Sequence, residues 1–154
     1  MHKFSKIIFS YYLFFLFWGI LFKFNITDTI SVAQHFPTYS LNLSPFNASG
    51  GRLEVIFNIL IFIPFGYYLS VLSDKKSFLG KVSTIFFISL LVEVLQFIFG
   101  IGASDITDII TNTSGGLLGL LLFQTVKRTK AGQDFINVLI ACVLAFSTFL
   151  LLSH

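Results

Sequence analysis

The chain has 154 residues, of which 55% are apolar and only 11% charged, with a mean hydropathy of +0.88. Soluble domains carry roughly 25% charged residues, so this chain cannot cover a water-facing surface and reads as an integral membrane protein with no room for a separate soluble catalytic domain. Its net charge of +3 does not signal nucleic acid, because the basic residues sit in small groups between apolar runs, as orientation signals do.

Five apolar stretches predict an all-α bundle of about five transmembrane helices, forming a single membrane domain. They fall at about 7–22, 53–72, 82–101, 106–126 and 135–152, each close to the roughly 20 residues that a span requires. The first follows Lys3 and Lys6, as the core of a signal peptide would. No small-residue cleavage site follows it, and Phe22 and Phe24 are bulky, so it reads as a retained span.

The outer loop 23–52 is long beside the roughly 2–8 residues usual in small bundles. It carries Pro37, Pro45, Gly50 and Gly51 among the apolar Phe36, Tyr39, Leu41, Leu43 and Phe46. It is a lid or short interfacial helix over the outer mouth, or else a plain surface linker.

The second span opens with Arg52, Glu54 and Asn58 and holds Pro64 and Gly66 deeper in. Pro64 lacks an N–H and is expected to kink the helix. Arg52 suits bidentate capture of phosphate or carboxylate, and equally a snorkelling anchor at the interface. The third span places Glu93 and Gln96 on one face at i, i+3, with Glu93 the deepest carboxylate. Glu93 either pairs with Gln96 or Asn112, or serves in acid–base work or in holding a cationic or amide-rich ligand.

On the fourth span Asp105, Asp108, Asn112, Gly115 and Gly119 follow one helical stripe, with Gly116 beside it. The stripe is polar at one end and small at the other, where Gly115-x-x-x-Gly119 allows a second helix to approach closely. The fifth span carries the single cysteine, Cys142, which has no disulfide partner and is expected to act as a small buried hydrophobe.

Counting Lys and Arg orients the chain. Lys3 and Lys6, then Lys75, Lys76 and Lys81, then Lys127, Arg128 and Lys130 fall on one side, leaving only Lys23 and Arg52 on the other. The N-terminus is thus expected in the cytoplasm and the C-terminus outside. On that reading Arg52, Glu54, Asn58, Glu93, Gln96, Asp105, Asp108 and Asn112 converge on the external half. Three carboxylates with amide oxygens would suit a hard divalent cation. No D-x-D-x-D or H-E-x-x-H motif accompanies them, so no metal is assigned, and no cofactor is indicated. His2, His35 and His154 lie too far apart to suggest a histidine site.

Several segments carry a resemblance. Asn58-Ile-Leu-Ile-Phe-Ile-Pro64-Phe-Gly66, Glu93-Val-Leu-Gln96, Asp105-Ile-Thr-Asp108 and Asn112-Thr-Ser-Gly115-Gly116 with Gly119 resemble the VanZ-like family in order and spacing. Asn42-Leu-Ser-Pro45-Phe46 is similar to that family's Asn-Leu-x-Pro-Phe segment, and the likeness covers about 42–122. Two positions depart from the pattern. Ala103 stands where many members have Arg, so the Arg–Asp pair implied by the family is absent. Thr107 stands where many have Asp, so this site carries one acid fewer. The resemblance implies a multi-pass protein of the bacterial cell membrane, related to one associated with resistance to the glycopeptide teicoplanin.

Several functions remain open at the level of sequence. A protein of the outer leaflet would bind or remodel a cell-envelope amphiphile, with membrane lipids and a lipid-linked cell-wall precursor or glycopeptide as partners. A small membrane hydrolase or transferase would act on lipid-linked phosphates through Glu93, Asp105 and Asp108, but no nucleophile–base pair is legible. The central Glu93 gives a transporter weaker support, and a purely structural partner is the remaining class. Nucleic acid is not an expected partner.

Overall fold

The computed structural model describes residues 2–22, 41–46, 51–73, 75–101 and 104–152. Among these are five helices: α1 (His2–Phe22), α2 (Arg52–Leu72), α3 (Phe78–Phe99), α4 (Ile106–Val126) and α5 (Lys130–Leu152). Two short strands accompany them, β1 (Leu41–Asn42) and β2 (Ser104–Asp105). Helices α2 to α5 are long and apolar enough to cross a membrane, and the apolar part of α1, Phe4–Gly19, is shorter. In hydrocarbon the backbone must satisfy its own polar groups, which favours helices for such sequences. The protein is a multi-pass, all-α membrane bundle.

Helices α1, α2, α3 and α5 start ahead of the apolar runs that announce them, and in α3 caps rather than hydropathy set both ends. Helix α3 starts at Phe78, where the Ser77 hydroxyl accepts the Gly80 amide at 3.1 Å. It ends at Phe99, two residues short of the expected 101. Gly100 adopts a left-handed φ of 61°, and the Ile101 amide closes on the Gln96 carbonyl at 3.1 Å. Helices α1 and α5 likewise begin at His2 and Lys130, ahead of their apolar runs, whereas α4 spans the expected 106–126.

Contacts between helices fix their relative directions. Gly115 lies against Ile59 and Gly119 against Ile63, so α2 and α4 advance together and run parallel. Ser89 bonds to Asn112, and Ile85 lies against Gly116, one turn back on α3 and one forward on α4. Helix α3 is therefore antiparallel to α4. Tyr12 donates to the Ile61 carbonyl while Phe9 packs on Phe65 and Tyr68, so α1 opposes α2. Ser5 with Asn137 and Tyr11 with Thr148 make α5 run alongside α1. The two ends of the bundle thus differ. Lys75, Lys76, Lys81, Lys127, Arg128 and Lys130 sit with the start of α1 at a basic end. Arg52, Asp105 and Asp108 sit at the opposite, polar end.

The α2–α4 seam is the closest approach in the fold. A methyl group on Gly66, Gly115 or Gly119 would collide with the backbone of the facing helix, at Gly116, Ile59 and Ile63 respectively. The core beside it contains Tyr12, Leu16, Phe62, Tyr67, Tyr68, Ile85, Val92 and Leu120. Helix α2 continues through Pro64 without interruption, from Arg52 to Leu72.

Cys142 corrects a sequence expectation: it is exposed, not buried. It lies on α5, which also exposes Leu139, Val143 and Phe146. In a helix facing lipid, an apolar neighbourhood in sequence does not imply burial in protein.

Candidate functional site

The polar end is built where two chain connections meet. Strand β1, from the α1–α2 connection, pairs in parallel with β2, from the α3–α4 connection, matching Leu41 with Ser104 and Asn42 with Asp105. Asn42 holds both sides of the junction. Its carbonyl oxygen accepts the Ser44 amide at 3.0 Å, turning its own loop. Its Nδ2 donates to Asp105 Oδ2 at 3.0 Å. Thr107 adds a second tie, its hydroxyl accepting the Phe46 amide at 3.0 Å. Phe46 is held at φ 60°, a conformation that a bulky residue rarely adopts without such support.

Asp105 departs from the helical stripe read from sequence. It has an extended backbone and caps α4, its Oδ1 accepting the Thr107 amide at 2.8 Å. The stripe proper starts within the helix, with Asp108 half-buried in the first turn and Asn112, Gly115 and Gly119 buried below it.

Glu93 supports this cap from α3. Its Oε2 accepts the Asp105 amide at 3.0 Å, and its backbone carbonyl accepts the Ser104 hydroxyl at 2.7 Å. The side chain is 3% exposed, so this carboxyl is tied to the α3–α4 connection. Gln96, one turn on, is also buried. Asn112 does not take the Glu93 role considered for it. It donates from Nδ2 to Ser89 Oγ at 3.1 Å.

Two buried amide atoms have no hydrogen-bond partner among the described residues: Nδ2 of Asn58, a donor, and Oδ1 of Asn112, an acceptor. Asn58 is 6% exposed and Asn112 1%. The parallel register of α2 and α4 puts them within one helical turn in height. A buried polar atom without a partner costs about 1–3 kcal/mol; Trp18 Nε1 and Thr113 Oγ1 are in the same state.

Arg52 and Glu54 open α2 at the same end, Arg52 exposed and Glu54 half-buried. The α2–α4 register places Arg52 level with Asp108. Arg52, Gly51, Val55, Ile56 and Phe46 line a cleft of about 470 Å3. Among the described residues no group of three His, Cys, Asp or Glu side chains gathers around one point.

The structure therefore joins Glu93 and Asp105 directly, and sets Asn42, Ser89, Ser104 and Thr107 around them. Asn42 was legible only through the family-like Asn-Leu-x-Pro-Phe segment, and Thr107 only as a departure from the family pattern. Ala103 and residues 23–40 and 47–50 of the loop, with Phe36, Pro37, Tyr39 and Gly50 of the suggested lid, lie outside the described residues.

A second polar cluster sits toward the basic end. Tyr68 donates to Asn137 Oδ1 at 3.0 Å, Asn137 Nδ2 meets Ser5 Oγ at 3.5 Å, and Tyr67 donates to the Gln133 carbonyl at 3.4 Å. It joins α1, α2 and α5 and is read as packing glue.

No solved structure matches the chain. A relative from Enterococcus faecium named Protein VanZ is 47% identical over 138 residues, covering 88% of this chain and 83% of the relative. Residues 9–128 match the family described as VanZ/LLP1, a range that takes in most of α1, all of α2 to α4 and every residue of the polar end described above. The chain belongs to the VanZ/LLP1 family.

Proposed function

We propose that the polar end faces the outside of the bacterial cell and binds a cell-envelope amphiphile, a lipid-linked cell-wall precursor or a lipid-bearing glycopeptide, and so alters susceptibility to teicoplanin. The orientation rests on the concentration of Lys and Arg at the opposite end, which positive-inside bias keeps in the cytoplasm. The observation that carries the reading is the pair of buried amide atoms without partners, a donor on Asn58 and an acceptor on Asn112. Such a pair complements the amide and hydroxyl groups of peptide and sugar moieties.

A hydrolase or transferase draws less support. The Asp105 carboxylate is occupied by the Thr107 amide and by Asn42, and Glu93 holds the Asp105 amide. Neither is arranged as a base beside a nucleophile.

The test is expression in a teicoplanin-sensitive bacterium, with membrane abundance measured in parallel. The wild-type chain should lower susceptibility. Asp105→Asn turns a donor toward the Asn42 amide, releases the loop and should abolish the effect. Unchanged susceptibility with abundant wild-type protein would count against the whole reading.

A further inference from the structure

We propose that the seam between α1, α2 and α5 seats the hydrocarbon chain of a single-chain polyprenyl phosphate whose phosphate lies at Arg52. The inference rests on the outer-face reading above and names the lipid class that it would take.

The seam is a groove of about 490 Å3, lined by Tyr12, Phe57, Leu60, Pro64, Val143 and their neighbours. That volume falls in the range typical of ligand pockets, about 300–1,000 Å3. Leu60 and Val143 form exposed lips, at 59% and 56%. In a multi-pass membrane protein such an opening faces lipid, so the occupant is a hydrocarbon chain.

The polar end of the same helix supplies the complementary charge. Arg52, Ile56, Leu60 and Pro64 are spaced four apart and follow one stripe that winds by about 120° down α2. Arg52 and Ile56 line the outer cleft, and Leu60 and Pro64 line the groove. An anionic head at Arg52 would thus sit above a winding stripe that descends from the cleft to the apolar seam. Arg52 is the one cation at this end among the described residues.

Length selects the chain. Groove residues on α2 run from Phe57 to Tyr67, on either side of the midpoint of a helix that itself matches the bilayer core. From Arg52 to Tyr67 is about 22 Å of helix, whereas one leaflet offers about 15 Å of hydrocarbon. An acyl chain confined to its leaflet stops short of the inner part of the groove, and a longer polyprenyl chain reaches it.

The experiment uses the full chain in phosphatidylcholine nanodiscs, titrated with geranyl, farnesyl and geranylgeranyl phosphate and read by native mass spectrometry. Affinity should rise by about tenfold or more from geranyl to geranylgeranyl phosphate, through the packing of the added carbons against the groove rather than their removal from water. Val143→Trp and Leu60→Trp, which fill the groove from opposite lips, should each remove that gain while leaving geranyl phosphate binding unchanged. Two variants guard against misfolding of either one. Arg52→Gln should weaken all three ligands by a similar factor.

The same chain-length dependence in both Trp variants would reduce the effect to bulk partitioning and overturn the proposal, as would equal competition by phosphatidylglycerol. If chain length has no effect while Asp105→Asn still abolishes the susceptibility change, the groove assignment falls and the outer-face reading stands.

Discussion

Asn42 shows how much one side chain decides at the polar end. Its two functional groups bond in opposite directions, one into its own loop and one to the cap of α4. Asn42→Ala should therefore leave the helical bundle intact and loosen residues 41–46. Faster hydrogen exchange confined to that segment would check this, and unchanged protection would refute it. Asp105→Ala removes the cap as well, and caps of this kind contribute about 0.5–2 kcal/mol. Thermal unfolding in detergent should show a loss in that range, larger than for Asn42→Ala. Composition marked Asp105 as a site residue but misread its geometry. The spacing that placed it on a helical stripe is met equally by a residue one position before the helix, and only the cap bond to Thr107 separates the two. Ser89 was not legible, and Thr107 was only as a departure from the family pattern, because small hydroxyl residues are common in membrane helices and gain meaning only from the partner opposite.

At the scale of elements, the helices were readable from apolar runs and their ends were not. Hydropathy reports which residues meet lipid, while Ser77, Gly100 and Asp105 decide where helices start and stop. The small residues of the fourth span pointed to a close helix contact, and the structure identifies its partner as α2 in parallel alignment. A methyl group at Gly119 meets the Ile63 backbone, which cannot move aside as a flexible side chain would. Gly119→Ala should therefore cost about 1–3 kcal/mol and lower the yield of folded protein. By contrast, Leu121→Ala, on the exposed side of the same helix, should cost less. Equal thermal stability of Gly119→Ala and wild type would contradict the seam.

The whole molecule is an asymmetric bundle: among the described residues most cations gather at one end, while Glu93, Asp105 and Asp108 gather at the other with Asn58, Gln96 and Asn112. With Cys142→Ser as background, a membrane-impermeant maleimide applied to intact cells should label Ser44→Cys and spare Lys76→Cys. The reverse pattern would invert the orientation. The central claim is narrower: buried amides at the polar end exist for a ligand and not for the fold. Asn58→Leu tests it most directly, by measuring thermal stability and teicoplanin susceptibility on the same variant at matched membrane abundance. Removing a buried donor without a partner should leave the melting temperature equal or higher, and the effect on susceptibility should be lost. A lower melting temperature, or a full effect on susceptibility retained, would contradict the account.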